Sequence, residues 1–154
     1  MQPWSSSGTW LRCALHAHTT ESDGELSPDL LAAHYARAGY DVLAVTDHWR
    51  RTDAAADGLL VVPSVELNAA TADGRDLHVL GYGLACEPAD LQALYDEHGL
   101  TASLATIAAW IRARGGVVFL AHPYWSGAAP GLELPADVAG IEVWNAGCEL
   151  ETGR

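Results

Sequence analysis

Short apolar runs rich in β-branched residues alternate with stretches at helical spacing along this chain, and that alternation restricts its fold more than any other feature. Leu11 to Leu15 reads as a strand. Ser27-Pro28-Asp29 then offers an N-cap, a proline at the first helical position and an acid in the first turn. Leu30, Leu31, His34, Tyr35 and Ala38 continue at helical spacing, and Gly39 closes the helix. Asp41 to Thr46 is a buried strand by composition, and Leu59 to Leu67 another, with Pro63 marking an edge or bulge. After the turn residues Ala72 to Arg75, Leu77 to Tyr82 returns as the second arm of a hairpin. Helices are expected over Pro88 to His98 and Thr101 to Arg114, followed by strands at Val117 to Leu120 and Gly140 to Trp144. This order predicts an α/β fold with a largely parallel sheet, a rhythm shared by open doubly wound sheets and by barrels.

The 154 residues suit a single domain spanning 1–154, with 49% hydrophobic and 18% charged residues, the profile of a globular protein. No apolar run reaches the roughly 18 residues needed to cross a bilayer. The opening Met1 to Ser7 lacks a basic start and an apolar stretch, so a cytoplasmic location is expected. The formal charge is −12, and all eight basic residues are Arg, scattered rather than striped, which argues against duplex nucleic acid as a partner. A small-molecule substrate is expected instead. Cys13, Cys86 and Cys148 are too few and too widely spaced for a disulfide framework or a zinc knot. Cys13 alternates with Leu11 and Leu15 and is expected to be a buried, apolar thiol.

Five of the seven histidines fall at or just beyond the C-terminal side of an expected strand, or within the hairpin return. His16 and His18 are two apart, so in an extended segment they share one face and can reach one ion. His48 follows the second strand, Glu66 lies near the end of the third, His78 is in the hairpin return, and His122 follows Leu120 by two. Buried imidazoles each need a partner, and five in this pattern point to metal rather than to packing. Imidazole with carboxylate favours zinc, iron or manganese over calcium or magnesium. His34 and His98 lie inside expected helices and are assigned no such role.

The segment Leu15-His16-Ala17-His18-Thr19-Thr20-Glu21-Ser22-Asp23-Gly24, followed by Val45-Thr46-Asp47-His48, resembles the opening motifs of the polymerase-and-histidinol-phosphatase (PHP) family. Val65-Glu66, Leu77 to Gly81 and Leu120-Ala121-His122-Pro123 resemble its middle motifs, in order. The Trp10-Leu11-Arg12 lead-in and Glu142-Val143-Trp144-Asn145 are most similar to the subgroup named for carbaryl hydrolase. The resemblance implies a distorted seven-stranded α/β barrel with two or three divalent ions at its strand ends. It implies that His16 and His18 bind the first ion and that Glu66 bridges it to a second held by His78 and His122. Asp23 and His48 would serve a third, and Glu66 and His122 would be the catalytic pair. The family's nucleophile, by the same implication, is a metal-bridging hydroxide attacking phosphorus or, in some members, a carbonyl carbon. The family's late Asp-x-His segment has no counterpart up to Arg154, so an incomplete barrel and a weakened centre are expected.

Asp47 is read either as a partner orienting a ligand or as a loop cap. Trp49, Tyr124, Trp125 and Asn145 neighbour the rim motifs as packing residues or substrate contacts, and Arg50 and Arg51 as solvated loop residues or phosphate contacts. Three functions follow. The leading one is a phosphoesterase acting on small phosphate esters. The others are a carbamate, amide or ester hydrolase, and a catalytically impaired metal-binding fragment.

Overall fold

The computed structural model of the protein describes residues 7–125, 127 and 132–148. The described residues include, in chain order, β1 (Cys13–Ala14), α1 (Pro28–Arg37), β2 (Val42–Ala44), β3 (Leu60–Val62), β4 (Ser64–Ala70), β5 (Asp76–Tyr82), α2 (Pro88–His98), α3 (Leu104–Ala113), β6 (Val117–Ala121) and β7 (Val138–Ile141). A 3-10 turn, Gly99–Thr101, separates α2 from α3. Helix starts follow local chemistry. Pro28 opens α1, Glu87 and Asp90 form a reciprocal capping box at α2, and the Ser103 hydroxyl accepts the Thr106 N–H at α3.

The strands form two sheets rather than one. β1, β2 and β3 are parallel neighbours, whereas β4, β5, β6 and β7 form a mixed sheet in that order. Within the second sheet β4–β5 and β5–β6 are antiparallel and only β6–β7 is parallel, which corrects the expectation of a largely parallel sheet. The physical cause is the tight turn at 71–75, which reverses the chain into a hairpin and fixes the direction of β5 against β4. Pro63 is where the expected Leu59–Leu67 strand breaks. It has no N–H to continue a ladder, and it separates β3 in one sheet from β4 in the other. The fold is thus mixed α/β, and no closed barrel forms among the described residues: β1 and β7 are each the outer strand of their sheet.

Two apolar cores result. Val65, Leu67, Leu77, Val79, Ile107, Ile111, Val118 and Leu120 belong to the larger one, between the mixed sheet and α2–α3; Leu31, Ala32, Leu43 and Val45 belong to the smaller, beneath α1. Side chains alternate along β4, so Val65, Leu67 and Ala69 face that core while Glu66 and Asn68 point to the opposite side. Cys13 is exposed, contrary to expectation, and Leu11 and Leu15 on its face are 56% and 46% exposed. Among the described residues β1 is an outer strand of its sheet, and the face that carries Cys13 opens on a groove of about 600 Å³. Among the described residues no helix is long and apolar enough to cross a membrane.

Candidate metal centre

The two sheets meet through backbone contacts at the site itself. Glu66 N–H donates to the Asp47 carbonyl at 3.2 Å and Trp49 N–H donates to the Glu66 carbonyl at 2.9 Å, joining the end of β2 to β4. Holding this junction places Trp49 at a φ of +53°, a left-handed conformation uncommon for a large side chain. Its indole N–H is anchored on the Asn68 amide oxygen at 2.9 Å.

Glu66 is only 1% exposed, and its two oxygens divide five imidazoles between them. Oε2 lies 3.0 Å from Nε2 of both His16 and His18, and 3.8 Å from Nε2 of His48. Oε1 lies 2.8 Å from Nδ1 of His78 and 3.3 Å from Nε2 of His122. Asp23 faces His18 Nδ1 at 3.2 Å and His48 Nε2 at 3.6 Å. All seven residues predicted from sequence therefore line one cavity of about 420 Å³, together with Trp125, Asn145 and Cys148. Three-donor groups compact enough for one ion are His16–Glu66–His122, His18–Asp23–His48 and His48–Glu66–His78. His18 stands between two of these groups: its Nε2 lies 3.1 Å from His16 Nε2 and 3.0 Å from Glu66 Oε2, while its Nδ1 faces Asp23.

A buried carboxylate is costly unless positive charge faces it. Burial alone would raise the pKa of Glu66, yet hydrogen bonds from His122, His16, His18 and His78 hold it well below the usual carboxylate range. Burial disfavours the His16 imidazolium too, but hydrogen bonds to Glu142 and Glu66 outweigh it and raise its pKa to about 9. The His78 pKa is raised in the same way, against burial and chiefly by Glu66, whereas that of His48 is lowered by burial. Protonated imidazoles facing carboxylates thus balance charge in the cavity, and divalent cations can replace those protons. Nitrogen donors with few carboxylates fit zinc, manganese or iron.

Around this cavity lie Glu142 and Asp76, which received no separate assignment from sequence, and Asp47, which did. Glu142, just beyond β7, lies 3.2 Å from His16 Nδ1 through both oxygens and accepts the His122 backbone N–H at 3.0 Å. Asp76 lies 3.1 Å from His78 Nε2. A signal for Asp76 was present in its spacing, two residues before His78 on one strand face. For Glu142 it was an acid inside an otherwise apolar strand. Asp47 is fully buried and accepts from Thr19 N–H, Thr19 Oγ1, Ser22 Oγ and Thr52 Oγ1. These hydrogen bonds outweigh burial and lower its pKa, so it ties the His16–Asp23 loop to the loop after β2.

The remaining expectations separate cleanly. Asn145 Nδ2 lies 3.4 Å from His16 Nδ1, and the Trp125 ring lies 5.5 Å from that of His122, so both belong to the cavity. Tyr124 is 59% exposed and is not among the residues lining it. Trp49, Arg50 and Arg51 line a different cleft against α2, where Arg50 pairs with Glu21 and Arg51 with Asp53. His34 and His98 stay on helices outside the cavity.

No family model and no curated protein matches the chain. Among solved structures it is similar to a candidate metal-dependent phosphoesterase from Bifidobacterium adolescentis, with TM-score 0.66 and 15% identity over 90% of this chain and 79% of that one. It is similar to an amidohydrolase from Chromobacterium violaceum, with sulfate bound and no metal, at TM-score 0.59 and 20% identity over 73% and 67% of the two chains. A two-domain protein containing a predicted PHP-like metal-dependent phosphoesterase, from Bacteroides vulgatus, gives TM-score 0.61 and 19% identity over 86% and 44%. What is shared at these identities is the mixed α/β fold.

Proposed function

We propose that this chain is a metal-dependent hydrolase of the PHP kind, acting on small phosphate esters. The observation that carries the reading is the division of the Glu66 oxygens, one facing His16 and His18, the other His78 and His122. A carboxylate so placed can hold two cations side by side, with Asp23 and His48 available to a third. Bound divalent ions would lower the pKa of water and stabilise charge developing on a phosphoryl group. The chain's own groups do the rest. Glu66 keeps the two sets of histidines in one frame, and Glu142, Asp76 and Asp47 hold the surrounding loops and rings. Trp125 and Asn145 form the walls against which the substrate's organic part would rest. A 420 Å³ cavity suits a small ester rather than a polymer. In this reading the two sheets are parts of the wall of a PHP-type barrel, and the chain is placed with the carbaryl-hydrolase subgroup.

Hydrolysis of a carbon–nitrogen bond is the second reading, favoured by the likeness to the amidohydrolase from Chromobacterium violaceum. One panel separates the two. The metal-stripped protein, reloaded with zinc, manganese or iron, is assayed with p-nitrophenyl phosphate, bis-p-nitrophenyl phosphate and a naphthyl carbamate. Phosphate ester turnover that a chelator and Glu66→Ala both abolish is expected. Turnover of the carbamate alone selects the second reading, and chelator-insensitive turnover overturns both.

A further inference from the structure

Two of the histidines that face opposite oxygens of Glu66, His16 and His78, do so through different ring nitrogens. His16 turns Nε2 inward, 3.0 Å from Glu66 Oε2, and His78 turns Nδ1 inward, 2.8 Å from Glu66 Oε1. The outward nitrogen of each meets a carboxylate: His16 Nδ1 meets Glu142, and His78 Nε2 meets Asp76. We propose that Glu142 and Asp76 are positioning residues that fix opposite tautomers of His16 and His78, so that each presents its inward nitrogen as a lone pair to a metal ion. This rests on the metal-centre reading above and adds which nitrogen binds and what selects it.

The chemistry is direct. A neutral imidazole carries one N–H, and a carboxylate beside one nitrogen holds the proton there, leaving the other as acceptor. Each carboxylate is itself held. Glu142 also accepts from the His122 backbone N–H and from Asn145 Nδ2, so it couples the loop after β6 to the His16 ring. Asp76 accepts from Asn68 Nδ2, whose amide is oriented by the Trp49 indole N–H on its oxygen. Exposure separates the two in strength. The Glu142 side chain is 17% exposed and braces two ligands, whereas that of Asp76 is 48% exposed, so water can take over its contact to His78.

The test uses zinc-loaded protein labelled with ¹⁵N at histidine. Imidazole ¹⁵N shifts are expected to show His16 metallated at Nε2 with a proton on Nδ1, and His78 metallated at Nδ1 with a proton on Nε2. In competition with a chromophoric chelator, Glu142→Ala should weaken zinc retention about 10- to 100-fold. Glu142→Gln should recover part of that loss, because its amide oxygen still accepts from Nδ1–H, and Asp76→Asn should have a smaller effect. Far-UV circular dichroism in chelator checks that the variants fold, and the wild-type nitrogen assignment stands even if one does not. His16 metallated at Nδ1, His78 metallated at Nε2, or Glu142→Ala retaining zinc like wild type overturns the positioning roles alone. Wild-type protein that retains no zinc overturns the metal centre together with them.

Discussion

A carboxylate as deeply buried as Glu66 is stable only while positive charge faces it, and here protons on imidazoles or bound cations must supply that charge. Glu66→Gln is therefore expected to remove metal from both sides of the centre at once. His16→Ala leaves His78 and His122 in place, and His78→Ala leaves His16 and His18. Elemental analysis of the purified variants decides it, and equal loss from His78→Ala and Glu66→Gln counts against a shared carboxylate. The metal-free protein should also carry a pH signature. His16 has a folded pKa of about 9 against 6.5 unfolded, so its contribution is complete below pH 6.5 and is lost as pH rises through 9. Glu66, Glu142 and Asp47 have lowered pKa values, so theirs is complete above about 4.5 and is lost on acidification. Urea unfolding in chelator is expected to give a maximum between about pH 4.5 and 6.5. Glu142→Gln should flatten the alkaline limb, and a limb unchanged in that variant would remove Glu142 from the account.

At the scale of elements, the loop after β1 carries His16, His18 and Asp23, and Gly24 holds it closed. A Cβ at Gly24 would lie 2.2 Å from the His18 carbonyl oxygen and 2.7 Å from the Thr19 nitrogen. These are backbone atoms and cannot rotate away, so Gly24→Ala must move the segment that presents His18. A loss of about 2 kcal/mol or more is expected, with weakened zinc retention at constant secondary structure. Calorimetry and chelator competition check both. Gly39→Ala is the control: its φ is +76° but nothing lies near a Cβ there, so only stability should fall, by about 1 kcal/mol.

Over the whole molecule, the outer strands β1 and β7 matter most. β1 and β7 border a groove lined by Tyr35, Tyr40, Tyr82, Phe119 and Trp144, and Val143 and Trp144 are 78% and 67% exposed. Unpaired edges beside apolar side chains favour association with further strands. Sedimentation velocity is expected to show self-association that grows with concentration and is reduced by Val143→Lys, since a charge in the groove just beyond β7 opposes apolar association. A monomer at all concentrations would show that the groove is sealed by other means.

Residue types and their order determined by themselves that this chain alternates strands and helices, and that His16, His18, Asp23, His48, Glu66, His78 and His122 belong together. His16, His18, Asp23, His48 and His122 lie just beyond strand ends, whereas Glu66 and His78 lie inside β4 and β5 and reach the same cavity through the pairing of those two strands. Proline likewise marked where α1 and α2 begin, whereas α3 begins at Leu104 behind its Ser103 cap rather than at Thr101, because a 3-10 turn takes up Gly99–Thr101. Tertiary structure alone decided the pairing into two sheets, because which strands meet across intervening helices, as β5 and β6 do antiparallel, depends on how the elements pack and not on composition. It alone decided that Cys13 lies open, since burial of a strand face depends on whether a neighbour covers it. It also decided which oxygen of Glu66 meets which imidazole, and brought Glu142 to His16 across 126 residues of sequence. Contacts of that range leave no periodic trace in the chain; they exist only once the sheets have met.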